Sequence, residues 1–264
     1  MAYITIPNLR MAYDSVGNGT PMLLIHGYPL SRRIWQPQLE GLSDAFRVIA
    51  LDLRGFGESQ AIPGPYPMDL MADDCASFLD ALGVNQPVII GGLSMGGYIA
   101  FAFWRKYQHR VRGLMLTATR ALPDSAESAE NRLKAAALAE KEGPETIARA
   151  MLPKMLSPKS QANRPDLVAQ VKSIMESASV LGIVGALLGM RLRIDSTPTL
   201  RKIKVGTLIF RGTDDSFVPM EEAQMMQTAI PNARLVLLPD AGHLPNLEQP
   251  VLFNQTVREF FTKV

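Results

Sequence analysis

The chain has 264 residues, of which 47% are hydrophobic and 20% charged, and its formal net charge is +2. This length and apolar fraction are enough to bury one large core. Because the Lys and Arg residues are scattered rather than clustered, we exclude nucleic acids and acidic membrane surfaces as partners and expect a small uncharged molecule.

The first residues carry no basic segment followed by an apolar run, which is the pattern of a secretory signal, so we expect a cytoplasmic protein. Cys75 is the only cysteine, which excludes an internal disulfide and a Cys-rich metal site. It lies among helix formers, and this position predicts a buried, unreactive thiol.

Short aliphatic or β-branched segments alternate with longer helical patterns over the first 117 residues. This alternation is typical of strands joined by crossover helices in a mostly parallel sheet. The predicted strands are residues 3–6, 10–15, 22–25, 47–51, 88–91 and 111–117. The predicted helices are residues 34–42, 68–82 and 95–106. The last four of these strands are almost continuously apolar, as expected when both faces of a strand are covered.

The pattern changes after Thr117. Residues 122–195 are rich in Ala, Leu, Met, Glu and Lys, contain no convincing strand, and are interrupted by three Gly-Pro, Ser-Pro or Arg-Pro pairs. We therefore predict several successive helices that form a cap over one end of the sheet. The apolar segment 180–190 falls short of the ~20 residues that a membrane-spanning helix needs, so it is predicted to be a buried or pocket-lining helix.

The alternating pattern then resumes. The predicted elements are strand 207–210, helix 220–230, strand 234–238 and helix 250–262. The sequence thus predicts an α/β protein with a mostly parallel eight-stranded sheet flanked by helices. Its core domain comprises residues 1–121 and 196–264, and residues 122–195 form the inserted helical cap.

A strand, a glycine-flanked serine and a helix follow one another in residues 88–98. Gly92 and Gly96 are small enough for the sharp strand-to-helix turn that exposes Ser94. The turn also places Ser94 at a helix N-terminus, where free amides favour developing negative charge. This placement of the Gly-x-Ser-x-Gly pattern predicts Ser94 as a nucleophile. The alternative is a plain loop with a capping serine.

A serine hydroxyl becomes a good nucleophile only when a base takes its proton. His243 follows the last predicted strand on a glycine-bearing loop, where it can reach Ser94. His26 directly follows a strand and precedes Gly27, which suits a backbone turn. His109 lies at a helix end and is typical of a solvated residue. We predict His243 as the base.

The base needs a buried carboxylate that holds its tautomer. Asp214 and Asp215 both follow the preceding strand, and local physics does not separate them. Asp240 suits a solvent-facing turn. The chain order Ser, Asp, His is that of the fold in which the nucleophile occupies a strand-to-helix turn.

Acyl transfer also needs donors for the tetrahedral oxyanion. One candidate is the backbone N–H of Met95, just after the nucleophile. The other is the backbone N–H of Tyr28, in the loop that follows strand 22–25. The alternative for this loop is a tight turn without a role.

These segments together resemble the α/β-hydrolases of the esterase, enol-lactonase and cofactor-free haloperoxidase (perhydrolase) group. The resemblance runs nearly end to end, through residues 26–29, 52–59, 88–98, 212–219 and 242–250. In such families the acid is the last residue of a Gly-x-x-Asp motif ahead of a proline, so the resemblance implies Asp215. It also implies that residues 52–59 form a structural turn. Leu93 departs from relatives that often carry His or Gln before the nucleophile.

The resemblance implies a carboxylic ester hydrolase that works through an acyl-enzyme, without metal or cofactor. The apolar cap, including residues 180–190, predicts small to medium hydrophobic esters as substrates. An enol-lactone hydrolase or a perhydrolase is the alternative, and a non-catalytic ligand receptor of the same fold is the rival from another class. A dibasic lactone would want an arginine near the pocket, for which Arg120, Arg191 and Arg193 are available. The sequence leaves open whether the protein is a monomer or a homo-oligomer.

Overall fold

The computed structural model describes residues 1–263, and its centre is one eight-stranded sheet. The strands are β1 (Ala2–Ile6), β2 (Leu9–Val16), β3 (Thr20–Ile25), β4 (Phe46–Leu51), β5 (Val88–Leu93), β6 (Val111–Thr117), β7 (Gly206–Gly212) and β8 (Ala233–Leu238). They lie in the order β1-β2-β4-β3-β5-β6-β7-β8, in which β2 pairs antiparallel with β1 and β4 and all other pairs are parallel. The eight predicted strands and the mostly parallel sheet are confirmed.

Helices cover both faces of this sheet. They are α1 (Gln36–Leu42), α2 (Met68–Ala81), α3 (Met95–Tyr107), α4 (Ala126–Glu142), α5 (Pro144–Met155), α6 (Pro158–Asn163), α7 (Pro165–Glu176), α8 (Val180–Arg191), α9 (Thr197–Leu200), α10 (Met220–Ala229), α11 (Pro245–Glu248) and α12 (Pro250–Phe261). The helix predicted at 34–42 begins instead as a short 3-10 helix, Arg32–Trp35, because Pro37 occupies the first turn of α1.

Two hydrophobic clusters lie on opposite faces of the sheet, as the alternation of strand side chains requires. Leu23 and Ile25 of β3 pack into the cluster with α2, α3 and α10, whereas Met22 and Leu24 pack into the cluster with α1 and α12. Because each cluster contains residues of the central strands and of the helices, both faces of these strands are covered by helices. The helices and loops at the carboxyl ends of the parallel strands are therefore held on a rigid support.

Helices α4 to α9 all lie between β6 and β7, and α4 to α8 fall within the predicted helical region 122–195, whereas α9 follows it. Four of these helices carry a proline in the first turn, where its missing N–H costs no hydrogen bond, and in three of them the proline is the first helical residue. These starts are Pro144, Pro158 and Pro165, the three prolines that interrupt the helical pattern in the sequence. The Ser157 hydroxyl additionally caps α6 by accepting from the Ser160 N–H at 3.1 Å.

Helix α8 packs directly onto the loop that follows β4. The Ser179 hydroxyl donates to the Gly55 carbonyl at 2.7 Å, and the Tyr66 N–H donates to the Gly185 carbonyl at 2.8 Å. Within residues 1–263 no single helix has the length and apolar composition to cross a membrane, and α7 with α8 reaches that length only as a pair bent by 87°.

The turn after β4 is organised by a buried carboxylate. Asp52 accepts the Arg32 N–H at 2.7 Å and the Glu58 N–H at 2.9 Å, and it also pairs with the Arg32 guanidinium. Ser59 closes the turn by donating to the Asp52 carbonyl at 2.7 Å and accepting from the Ala12 N–H at 2.9 Å. These contacts join the turn to β2 and to the 3-10 helix before α1, as expected if residues 52–59 form a structural turn.

Candidate active site

Ser94 lies at the turn between β5 and α3, in a backbone conformation with φ 53° and ψ −112°. A positive φ is strained for a residue with a side chain, so surrounding contacts must hold it. The Ser94 N–H donates to the Thr117 carbonyl at 2.8 Å, and the Thr119 hydroxyl donates to the Ser94 carbonyl at 2.8 Å. The turn therefore keeps the partly exposed Ser94 side chain at the carboxyl end of the central strand β5.

The loop after β3 passes close to this turn, and two glycines make the approach possible. A Cβ atom added at Gly96 would lie 2.2 Å from the Ile25 carbonyl oxygen. A Cβ atom added at Gly27 would lie 3.2 Å from the Ser94 Cβ atom. The segment predicted to supply one oxyanion donor is thus in contact range of the predicted nucleophile.

His26 shapes that loop from within the core. Its Nε2 accepts the Leu53 N–H at 3.0 Å, so its Nδ1 carries the proton and donates to the Gly27 carbonyl at 2.8 Å. Burial lowers the pKa of His26, which keeps the ring neutral. This is the backbone-turn role expected for His26. Within residues 1–263 the Tyr28 N–H donates to no acceptor. Met95 is the first residue of α3, and N–H groups in the first turn of a helix have no acceptor within the helix.

The structure brings His243 and Asp215 together. Nδ1 of His243 lies 3.1 Å from each carboxylate oxygen of Asp215, and both residues are about 95% buried. The imidazole also packs against the Phe217 ring, with ring centroids 4.8 Å apart. The Nδ1 atom is therefore occupied by the carboxylate, which leaves Nε2 as the nitrogen available to a reacting group.

The local environments of Asp214 and Asp215 differ. Asp214 is exposed, whereas Asp215 Oδ1 accepts the Phe217 N–H at 2.9 Å and the Val218 N–H at 3.2 Å. Burial alone would raise the pKa of Asp215, but His243 and the two amides outweigh it and bring the pKa below its ordinary value. Asp215 is thus a fixed carboxylate at neutral pH. Asp240 is exposed and pairs with a lysine, as a solvent-facing turn residue would.

The loop that carries His243 is anchored by a carboxylate that the sequence interpretation did not identify. Glu248 Oε1 accepts the Gly242 N–H at 2.6 Å, and its Oε2 accepts the Ser157 N–H at 2.8 Å. The His243 N–H donates to the Met155 carbonyl at 3.1 Å. The histidine loop is therefore tied to the segment between α5 and α6. The only feature of the sequence that could have indicated this anchor is an acidic residue shortly after the histidine. The third histidine, His109, is exposed at the end of α3, as predicted.

Ser94 and His243 both line a cavity of about 590 Å³ beneath helices α4, α5 and α8. Its apolar wall consists of Ala135, Leu138, Ile147, Met151, Leu187 and Met190. Leu187 and Met190 belong to the segment that was predicted to be buried or to line a pocket. A mostly apolar cavity with a few polar groups is typical of a small-molecule site.

Cationic side chains also line this cavity. Of the three arginines considered from the sequence, Arg120 lines it, Arg191 is exposed elsewhere, and Arg193 lies over the Tyr98 ring with its guanidinium carbon 4.3 Å from the centroid. Arg132 and Lys154 line it as well and were not identified from the sequence. In the part of the chain that the structure describes, no group of three His, Cys, Asp or Glu residues could hold a metal ion.

Comparison with known proteins agrees with this geometry. A thermophilic esterase from Thermogutta terrifontis, solved with malate bound, is 44% identical and superimposes with a TM-score of 0.96 over 99% of this chain and 98% of its own. The enol-lactonase from Burkholderia xenovorans LB400 is 28% identical, with a TM-score of 0.92 over 99% and 100% of the two chains. The 3-oxoadipate enol-lactonase 2 of Acinetobacter baylyi is 26% identical over 96% of this chain and 94% of its own.

The fold and the site define a class of protein: a parallel-sheet enzyme fold with a serine on a strand-to-helix turn facing a covered cavity. The family profile described as alpha/beta hydrolase fold matches residues 20–250. The chain therefore belongs to the alpha/beta hydrolase fold family, whose relatives above are enzymes that act on small molecules.

Proposed function

We propose that this protein is a carboxylic ester hydrolase that works through an acyl-enzyme on Ser94, with His243 as the base and Asp215 as the residue that orients it. The observation that carries this proposal is the buried contact between His243 and Asp215 at the cavity that Ser94 lines. A named esterase at 44% identity over the whole chain supports the same reaction class.

The reaction follows from these positions. The Ser94 oxygen attacks the ester carbonyl carbon while His243 Nε2 takes the hydroxyl proton. The imidazolium is stabilised by Asp215, and the oxyanion is stabilised by the N–H groups of Tyr28 and Met95. His243 then gives its proton to the leaving alcohol as the carbon–oxygen bond breaks. Water, deprotonated by His243, hydrolyses the acyl-enzyme and releases the acid and free Ser94.

The apolar wall of the cavity supports small to medium esters with a hydrophobic acyl or aryl group. A lactone is an internal ester and would pass through the same steps. Enol-lactonases among the relatives that span this chain support a lactone as the second candidate substrate. Assaying a series of acyl esters of increasing acyl length beside one enol-lactone distinguishes an ester hydrolase from a lactone hydrolase.

The mechanism predicts the effect of removing each reacting side chain. Ser94→Ala and His243→Ala should each lower kcat on a p-nitrophenyl ester by about three orders of magnitude or more. The matched control is His109→Ala, which removes an exposed histidine and should leave kcat within about twofold. Wild-type kcat in either active-site variant would remove that residue from its role.

A further inference from the structure

The charge of the cavity lining is one-sided. Arg120, Arg132 and Lys154 contribute to it, and no Asp or Glu is among the described residues that line it. Most of the other lining residues are apolar, and a charge beside apolar side chains is screened less than a charge in bulk water. A bound molecule that places an anion in this space would gain more than one that is neutral throughout.

Arg132 on α4 keeps unused hydrogen-bonding capacity at the cavity surface. Its Nε and one terminal nitrogen donate to Asp124, and its other terminal nitrogen faces only the Met190 sulfur at 3.4 Å. A thioether is a weak acceptor, so these N–H groups keep their capacity for an oxygen ligand. Met190 itself lines the cavity, which places this end of the guanidinium at the cavity surface.

Asp124 does not neutralise Arg132, because it serves a second guanidinium. A terminal nitrogen of Arg193 lies 2.5 Å from Asp124 Oδ1, and this arginine is nearly buried. Within residues 1–263 the three guanidinium groups of Arg120, Arg132 and Arg193 face only two carboxylates, those of Asp124 and Glu222, which leaves one net positive charge beside the cavity. Arg120 is different: it has Glu222 at 3.9 Å and donates to the Phe217 carbonyl at 3.0 Å. Arg132 is the better candidate for binding an anion because its available N–H groups lie beside Met190, at the cavity surface.

A second donor points the same way. The Tyr28 side chain lines the cavity and is 93% buried, yet its hydroxyl has no hydrogen-bond partner in the described chain. Burial raises the pKa of Tyr28, so the phenol stays protonated, and the Arg132 charge acts on this same hydroxyl. A buried hydroxyl without a partner in the protein keeps a donor that a ligand oxygen can accept.

We propose that the cavity selects esters that carry a second, ionised carboxylate, which binds the Arg132 guanidinium and the Tyr28 hydroxyl. The apolar wall would hold the methylene chain between the two ends of such a molecule. This inference rests on the proposed ester hydrolysis at Ser94 for its turnover, but not for its binding. It departs from the uncharged partner expected from composition, because the cations that matter are gathered by the fold from distant segments.

The kinetic test compares matched substrates. One is mono-p-nitrophenyl pimelate, and its partner is an ester of the same length in which an isopropyl group replaces the carboxylate. A second matched pair carries the carboxylate, or its replacement, on the alcohol portion, and its hydrolysis is followed by proton release. A charge-assisted hydrogen bond predicts a preference for the anionic ester of about ten- to a hundredfold in kcat/KM in one of the two pairs.

Substitutions test whether Arg132 and Tyr28 bind the substrate carboxylate. Arg132→Gln should reduce that preference by at least about tenfold, and Asp124 remains paired with Arg193, so the fold is retained. Tyr28→Phe removes only the unpartnered hydroxyl and should reduce the preference severalfold. The matched control is Arg149→Gln, the same change at an exposed residue of α5 that does not line the cavity. It should leave the preference unaltered.

A binding arm separates the two proposals. The Ser94→Ala protein should bind the anionic ester at least about tenfold more tightly than the neutral one, and Arg132→Gln in that background should abolish the difference. Binding without turnover in the wild type would overturn the ester hydrolase and leave the carboxylate site standing. Turnover with no anionic preference in either pair, or a preference that survives Arg132→Gln, would overturn the carboxylate site alone.

Discussion

Replacing Asp215 by asparagine changes one atom of the site, and the structure dictates the consequence. Oδ1 of Asp215 accepts the N–H groups of Phe217 and Val218, so the amide oxygen of the asparagine must take this position. The amide nitrogen then occupies the Oδ2 position, 3.1 Å from His243 Nδ1. Although Oδ1 is also 3.1 Å from Nδ1, two N–H groups cannot face each other, so the amide nitrogen favours the tautomer in which Nδ1 accepts and the ring proton is on Nε2. The histidine can then no longer take a proton from Ser94.

The expected loss follows from this change of tautomer. A triad histidine held in the wrong tautomer loses about 10⁴ in kcat, which corresponds to about 5 kcal/mol of transition-state stabilisation. KM should change little, because no contact with the substrate is removed. The matched control is Asp214→Asn, which changes an exposed carboxylate one residue away and should stay within about twofold of the wild type.

The assay is steady-state hydrolysis of a p-nitrophenyl ester by the wild type, Asp215→Asn and Asp214→Asn, with circular dichroism and Tm as checks of folding. A folded Asp215→Asn protein with kcat within tenfold of the wild type would refute the reasoning about the tautomer. The reverse ranking of the two variants would reassign the acid to Asp214.

Two further predictions concern stability. Gly96→Ala should lower the free energy of unfolding by about 3 kcal/mol, because the new methyl group would lie 2.2 Å from the Ile25 carbonyl oxygen. Urea titrations measure this free energy, and an unchanged value would contradict the close approach. Burial opposes ionisation of Asp124, but Arg132 and Arg193 outweigh it and bring its pKa below 3.8, so its stabilisation is present above that pH and is lost as the pH falls through the folded value. Asp124→Asn should therefore flatten the acid limb of unfolding free energy against pH, and an unchanged slope would contradict the pairing.

The periodic elements were accessible from the sequence because their causes are local. Strand β6 was predicted with the bounds that the structure has, since an apolar run ends there at clear breaks. The helix starts at Pro144, Pro158 and Pro165 were likewise visible as interruptions, because proline is tolerated only in the first turn of a helix. Several other strand and helix ends shifted by one or two residues, as the last hydrogen bonds of an element depend on its neighbours.

The site was accessible only in part. The strand-to-helix turn at Ser94 is encoded by adjacent residues, but Asp214 and Asp215 look alike until burial and two backbone amides separate them. The environment of Arg132 is assembled from Asp124 on one side and Met190, 58 residues further along, on the other. No short-range pattern reports such an arrangement. For the same reason the anchoring role of Glu248 emerged only from the structure.

Covalent labelling shows directly whether His243 activates Ser94. An aryl fluorophosphonate reacts with a serine only when a neighbouring base activates it. The proposed mechanism predicts one phosphonyl adduct per chain, mapped by mass spectrometry to Ser94. The adduct should be absent from Ser94→Ala and should form at least about a thousandfold more slowly in His243→Ala. An adduct on another residue, or labelling of His243→Ala at the wild-type rate, would contradict it.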